Sequence, residues 1–126
     1  MGRQIIQTNR APQAIGPYSQ AIRAGDTVYL SGQIPLDPET MQLVTGDIEA
    51  EIRRVFENLK AVLAEAGATF ANVTRATVYL TDLGNFQTLN GIYAEYFGDH
   101  KPARSTVGVA SLPKGATVEV DLIAVV

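Results

Sequence analysis

The chain contains no cysteine, which excludes disulfides, thiolate nucleophiles and thiolate metal sites. It also lacks any run close to the roughly 20 consecutive apolar residues that a membrane-spanning helix needs. The N-terminal segment has no apolar stretch of the kind found in signal peptides. We therefore expect no membrane association, and we take the cytoplasm as the expected compartment.

Positive charge is also scarce. Ten Lys and Arg residues stand against 13 Asp and Glu residues, giving a formal net charge of −3 and a sequence pI of about 5.0. No electrostatic footprint for nucleic acid is visible, so we expect no nucleic-acid partner. His100 is the single histidine, and no spacing of acids around it suggests metal ligation, so we expect no metal site.

The length and composition are those of one ordinary globular domain, which we assign to residues 1–126. Apolar residues make up 46% and charged residues 18% of the 126 positions, a composition that supports a real core. No repeat, low-complexity segment or linker divides the chain. The longest irregular stretch, about 34–46, contains two prolines and reads as a surface loop with turns.

Two segments have helical periodicity. In 47–66 the apolar residues recur at spacings of three and four, and Gly67 is placed to end the helix. In 85–97 a second stripe ends at Gly98. That stripe is rich in aromatic residues, which we interpret as core: Phe86, Leu89, Tyr93, Tyr96 and Phe97.

Strict alternation predicts strands at 27–33, 74–81, 104–109 and 117–126, and a further pair at about 3–8 and 18–24 extends the sheet. The order of elements predicts an α+β two-layer sandwich, with about six strands and two helices on one face. The apolar face of these strands is expected to carry Val28, Leu30, Ala76, Val78, Leu80, Val107, Val109, Val118, Val120, Leu122 and Ala124. The opposite face, of mixed polarity, is expected to carry Tyr29, Ser31, Gln33, Arg75, Thr77, Tyr79, Arg104, Thr106, Thr117, Glu119, Asp121, Ile123 and Val125.

That mixed face is neither a core nor an ordinary charged surface. Tyrosine, threonine and isolated charges among apolar groups are typical of partly buried, wet interfaces. Because two helices cover only one face of a sheet, we expect another subunit to cover the other. A closed homo-oligomer follows.

Arg104 and Glu119 are charged residues within two strand-like segments, and the turn formers Leu-Pro-Lys-Gly at 112–115 lie between them. If the segments pair as a hairpin, the guanidinium and the carboxylate come near one another. A guanidinium holds a carboxylate through two parallel hydrogen bonds, and a nearby carboxylate can orient or deprotonate a water. The pair predicts a site for a small carboxylic acid attacked by water, although such residues taken alone are more often partners in a structural salt bridge.

Five motifs occur in one order along the chain: Ile-Gly-Pro-Tyr-Ser-Gln-Ala at 15–21, Leu-Ser-Gly-Gln-Ile-Pro at 30–35, Pro-Ala-Arg-Ser at 102–105, Leu-Pro-Lys at 112–114 and Val-Glu-Val at 118–120. Together they resemble the RidA (YjgF/YER057c/UK114) family over nearly the whole chain. The resemblance implies a chorismate-mutase-like fold and a homotrimer with sites between subunits. It also implies cofactor-free hydrolysis of 2-iminopropanoate and 2-iminobutanoate, reactive products of pyridoxal-phosphate enzymes, to 2-keto acids and ammonia.

The resemblance also implies roles for individual residues. Arg104 matches the arginine that holds the substrate carboxylate, and Glu119 matches the glutamate associated with the attacking water. The remaining substrate-binding positions implied in this way are Tyr18, Ser31, Gly32, Asn90 and Thr106. Ser31 is not expected to be a nucleophile, because no histidine or lysine is plausibly placed to activate it.

Two features depart from many relatives. Thr106 stands where these have cysteine, and since the family uses that position largely through its backbone, we expect little loss. Only Lys101 separates His100 from Pro102, where some relatives have a longer insertion, and the shorter loop could reshape the rim of the pocket.

Two other functional classes compete with the enzyme. One is a trimeric keto-acid-binding or chaperone-like module without turnover, and the other is RNA cleavage or translation inhibition. The combination of Arg104 and Glu119 favours the enzyme, because a passive binder needs only the arginine. The acidic pI and the lack of a Lys/Arg cluster weigh against RNA.

Overall fold

A computed structural model describes residues 2–126 of the protein. Six strands and two α-helices follow one another along this part of the chain. In order they are β1 (Arg3–Ile6), β2 (Ala21–Ala24), β3 (Thr27–Gln33), α1 (Ile48–Glu65), β4 (Val73–Leu80), α2 (Phe86–Phe97), β5 (Ala103–Gly108) and β6 (Val118–Val125). The predicted helices and strands are all found, with ends that differ by a few residues.

The strands form one mixed sheet in the order β1-β2-β3-β6-β4-β5. All neighbouring pairs are antiparallel except β4 and β5, which are parallel and are joined through α2. A helical crossover is the usual way to connect parallel neighbours. The prediction of an α+β fold with two helices and a mixed six-stranded sheet is confirmed.

The ends of α1 follow from local chemistry. The side chain of Asp47 accepts hydrogen bonds from the backbone N–H groups of Glu49 and Ala50, while the carboxylate of Glu51 accepts one from the backbone N–H of Asp47. This reciprocal arrangement satisfies donors that the first helical turn leaves free. Gly67, with a φ of +77°, follows the last turn as predicted.

One face of the sheet packs under the helices and forms the core. Alternate residues of β3, β4 and β6 are fully or nearly fully buried there, as the alternation predicts. The apolar stripe of α1 and the apolar side of α2 close the layer. The largest contributors from the helices are Ile52, Val55, Phe56, Leu59, Leu63 and Leu89.

The hairpin on which the expected approach of Arg104 to Glu119 depends does not form. β5 pairs with β4 in parallel, and β6 pairs with the other edge of β4. Because α2 delivers β5 to the outer edge of β4, the turn-rich segment after β5 has to cross β4 to reach β6. A full strand therefore separates Arg104 from Glu119.

The predicted facing of β5 is also wrong. Arg104 is opposite Ala76 and Thr106 is opposite Val78, so both lie on the helix-covered face rather than the mixed face. Val107, expected in the core, is 40% exposed on the opposite face. Since side chains alternate with a period of two, a one-residue error in the assigned face moves every side chain of a strand to the other side.

Gln33 is a third correction. Between Leu30 and Gln33 the pairing of β3 with β6 shifts by one residue, which is a β-bulge. The extra residue turns Gln33 toward the buried side, where it is 7% exposed, and places Ser31 and Gly32 at the bulge.

Candidate functional site

The residues predicted for the site fall into two clusters on opposite faces of the sheet. Tyr18, Ser31, Gly32 and Glu119 line one cavity, which we call the glutamate cavity. Arg104 and Thr106 lie under α2 on the other face, where Asn90 of α2 bonds Arg104, and we call these three residues the arginine cluster.

The glutamate cavity has a volume of about 660 Å³. It is bounded by the N-terminal loop, the bulge of β3, the loop that follows β3, and the turn before β6. Its remaining lining residues are Pro12, Gln13, Ile15, Gln20, Gln33, Ile34, Leu36, Met41, Pro113 and Lys114. Mostly apolar walls around a few polar groups are typical of sites for small molecules.

Glu119 and Gly32 are in very close approach. A Cβ atom added to Gly32 would lie 2.1 Å from Oε2 of Glu119 and 2.8 Å from its carboxyl carbon. No side chain larger than hydrogen therefore fits at this position without moving the carboxylate. The bulge and the glycine together let the carboxylate lie against the backbone of β3.

Ser31 and the N-terminal loop are fixed to each other. The hydroxyl of Ser31 donates to the carbonyl of Ser19 at 2.6 Å, and its backbone N–H donates to the carbonyl of Gln20 at 2.9 Å. The buried side chain of Gln20 in turn bonds the backbone of Thr8 and Pro12. This network holds the loop that presents Tyr18, whose side chain is 54% exposed at the mouth of the cavity.

The surroundings of Glu119 disfavour its charged form. Partial burial raises the pKa of its carboxyl above the ordinary value, and the negative charge of Asp121 raises it further. A carboxylate with a raised pKa is a better proton acceptor for a water than an ordinary surface glutamate.

Arg104 is held in place by three side chains of α2. Its Nη1 donates to Oδ1 of Asn90 at 2.7 Å. Its guanidinium carbon lies 4.8 Å from the ring centre of Tyr93 and 5.5 Å from that of Phe86, which are cation–π distances. Within residues 2–126 no carboxylate lies within salt-bridge distance of this guanidinium.

Two hydroxyls near this arginine are buried without a hydrogen-bond partner in the described chain. They are the phenol of Tyr93 and the hydroxyl of Thr106. Buried polar atoms are rarely left unpaired, because each costs free energy. Burial also raises the pKa of the Tyr93 phenol, against an opposing effect of the Arg104 charge.

Phe86 and Tyr93, which the aromatic stripe predicts to be core residues, also contact Arg104. Together with Asn90 they occupy positions i, i+4 and i+7 of α2 and so share one face of the helix. That face covers Arg104. The spacing was visible in the sequence, but it points to an arginine only once β5 is known to lie beneath α2.

The described residues contain no group of three or more histidine, aspartate or glutamate side chains that could hold a metal ion. His100 instead places its Nε2 2.5 Å from the carbonyl of Val73. Neither helix in residues 2–126 is long and apolar enough to cross a membrane.

Known proteins resemble this chain over nearly its whole length. The family model for Endoribonuclease L-PSP matches residues 8–126. Protein DfrA of Myxococcus xanthus is 55% identical over 99% of this chain and 97% of its own. The 2-iminobutanoate/2-iminopropanoate deaminase of Homo sapiens is 45% identical over 98% of this chain and 90% of its own. The crystal structure of YyfA from Yersinia pestis, a protein of unknown function in the conserved Rid family, has a TM-score of 0.97 at 49% identity and covers 99% of this chain and 100% of its own.

Proposed function

Because the chain belongs to the RidA family, also described as Endoribonuclease L-PSP, we propose that it is a deaminase that hydrolyses small 2-imino acids to 2-keto acids and ammonia. The substrates are 2-iminopropanoate and 2-iminobutanoate, the acids named in the human relative at 45% identity. The reaction needs no metal and no organic cofactor, and we assign it to the cytoplasm.

The active site in this proposal lies between two copies of the chain. Arg104 and Glu119 point from opposite faces of one sheet, with β4 between their strands, so a single chain does not bring them together. The uncovered face carries the exposed apolar side chains of Ile5, Tyr29 and Val125, which another copy would bury. We propose a homotrimer in which Arg104 of one subunit meets Glu119 of the next.

Arg104 binds the substrate carboxylate. Its planar guanidinium offers two parallel N–H donors to one carboxylate, and Asn90 and the two aromatic rings already fix its orientation. A substrate held at its carboxylate has its C=N carbon in a defined place, so a water at Glu119 attacks from a short and constant distance. Tyr18 and Ser31 bound this space on the glutamate side.

Glu119 transfers the proton. It accepts one proton from the water as the water oxygen bonds to the imine carbon, and the C=N bond becomes a C–N single bond. It returns that proton to the nitrogen, which gives a carbinolamine. The carboxylate then takes the proton of the carbinol hydroxyl and passes it to the amino nitrogen, so that the C–N bond breaks, ammonia leaves and the C–O bond becomes the keto group. Substrate and water are thereby converted into one keto acid and one ammonia, and the carboxylate is regenerated.

One observation carries the proposal. Arg104 is oriented by three side chains, partly buried, and without an acidic partner in the described chain. A purely structural arginine on this face would be expected to have an acid as its counter-ion. The missing counter-ion is what a substrate carboxylate supplies.

The test is a coupled assay of the wild-type protein. An amino-acid oxidase generates the imine from alanine or 2-aminobutyrate, and ammonia release is followed with and without the protein. We expect release faster than the spontaneous hydrolysis, with Arg104→Ala as the inactive control. A protein that binds 2-ketobutyrate by calorimetry but does not accelerate ammonia release would instead be the keto-acid-binding module.

RNA cleavage is a second candidate, because the family is also named Endoribonuclease L-PSP. The chain has 13 acidic residues and only 10 basic ones. This balance argues against RNA cleavage, since binding to nucleic acid depends on neutralising phosphates with cations. We propose that small imino and keto acids, not nucleic acids, are the ligands. Incubation with single-stranded RNA at physiological salt should leave the RNA intact.

A further inference from the structure

Glu119 has an acidic neighbour on its own strand. Asp121 lies two residues further along β6, and residues two apart on a strand share a face and are separated by roughly 7 Å. Both are partly buried on the face away from the helices, between the buried residues Val118, Val120 and Leu122 of the same strand. Two carboxylates so placed repel one another when both are ionised.

A tyrosine from the neighbouring strand is bonded to that acid. Tyr79 of β4 is the cross-strand partner of Glu119, and its hydroxyl donates to Oδ2 of Asp121 at 3.0 Å. The side chain thus starts opposite Glu119 and crosses diagonally to the next residue on the same face, a distance that long side chains can reach.

We propose that Asp121 and Tyr79 are positioning residues that set the proton affinity of Glu119: Asp121 places a negative charge beside it, and Tyr79 holds and partly neutralises that charge. The inference rests on the proposed function, in which Glu119 takes a proton from water. It assigns to two residues outside the predicted site a control over when Glu119 can do so.

The electrostatics of the face agree with this geometry. Burial first and the Asp121 charge second raise the pKa of Glu119. The pKa of Tyr79 is also raised, by burial and then by its hydrogen bond to Asp121. Tyr79 therefore remains protonated at neutral pH and continues to donate its hydrogen bond.

Groups from other elements also face Glu119. From β3 come Ser31 and Gly32, which do not titrate, and the turn before β6 contributes Lys114. The N-terminal loop contributes the phenol of Tyr18. In the proposed homotrimer Arg104 of the next subunit also faces Glu119. Asp121 is the acidic group in this set, so its replacement removes the charge that raises the pKa of Glu119.

The direction of each expected change follows from the charges. Glu119 works as a base only when ionised, so the acid limb of kcat/KM against pH follows its pKa. Asp121→Asn removes the repelling charge and should move this limb to lower pH, by about half to one pH unit at this separation. Tyr79→Phe leaves Asp121 without its donor, and it should move the limb to higher pH.

Matched controls separate this effect from a general loss of charge or of a phenol. Asp99→Asn removes an exposed carboxylate beyond α2, and it should leave the limb in place. Tyr96→Phe removes another phenol, one that is bonded to Glu57 at 2.6 Å, and it should also leave the limb in place. Asp121→Ser repeats the charge removal if Asp121→Asn does not fold.

A second readout does not depend on catalysis. The carboxyl carbon of Glu119, labelled with ¹³C, can be titrated by NMR in the wild type and in the Asp121 variants. If the wild type hydrolyses no imine, the proposed function fails, while this titration still tests the coupling. A Glu119 midpoint that is the same in the wild type and in the folded Asp121 variants would overturn the inference, whatever the activity.

Discussion

Replacing Arg104 tests the role of the arginine cluster. In the proposed complex its guanidinium forms two charge-assisted hydrogen bonds to the substrate carboxylate, and each such bond contributes roughly 1.5–3 kcal/mol. Arg104→Ala should therefore lower kcat/KM by about two orders of magnitude or more, since about 1.4 kcal/mol corresponds to a factor of ten. The variant also loses the 2.7 Å bond to Asn90 and the contacts with the rings of Phe86 and Tyr93.

Arg104→Lys refines the test because it keeps the charge. An ammonium cannot reproduce the planar fork or stack as a plane on an aromatic ring, so we expect poor rescue. The assay is ammonia release from imines generated in situ, and calorimetry with 2-ketobutyrate should show binding lost in parallel. Wild-type turnover in a folded Arg104→Ala variant would refute the assignment of Arg104 to the substrate carboxylate.

Three other substitutions test the geometry of the two clusters. Gly32→Ala should displace the Glu119 carboxylate, because the new Cβ would lie 2.1 Å from its Oε2, and kcat should fall by about tenfold or more. Gly91→Ala is the control, since a Cβ there meets nothing within 4 Å, and an unaffected kcat in Gly32→Ala would refute the steric argument. Tyr93→Phe removes a buried hydroxyl without a partner and should raise the free energy of unfolding by about 1 kcal/mol in denaturant titrations; a loss of stability would show that the hydroxyl is satisfied. Glu119→Gln should depress kcat while leaving the affinity for 2-ketobutyrate nearly intact, and an unchanged kcat would mean that other groups position the water. Because the pKa of Glu119 is raised, the activity of the wild type should rise with pH through a midpoint above the ordinary glutamate pKa of about 4.3.

Local pattern was enough to predict the helices. The three- and four-residue spacing of apolar residues identified α1 and α2. Gly67 and Gly98, both with positive φ in the structure, marked where the helices end. Such signals are contained within a few neighbouring residues, which is why the sequence alone could provide them.

Strand pairing could not be predicted in the same way. The segments 104–109 and 117–126 read as a hairpin because a turn-rich connector lies between them. Both segments in fact pair with β4. This pairing depends on where α2 places β5. The register of a strand is decided by contacts distant in sequence, so a local pattern leaves it open.

The face of the sheet on which a side chain lies was also not predictable at two positions. In 104–109 the alternation predicts that Val107 and Val109 face the core, and it therefore assigns Arg104 to the opposite face, whereas Arg104 lies under α2. At Gln33 a bulge shifts the alternation by one residue, and Gly32 is the residue of this segment whose type is typical of a bulge. The motifs identified the candidate site residues. Only the fold shows that these residues lie on two opposite faces of the sheet.

Because of that division, Arg104 and Glu119 act together in the proposed homotrimer only across two copies of the chain. Subunit complementation tests this arrangement. Arg104→Ala and Glu119→Gln proteins, each nearly inactive alone, are mixed in equal amounts, unfolded, refolded together and assayed for imine hydrolysis. If the site forms between subunits, about one site in four contains both wild-type residues after random reassembly, and close to a quarter of wild-type activity should return. Activity that stays at the level of the separate variants, although hybrid oligomers have formed, would contradict the account.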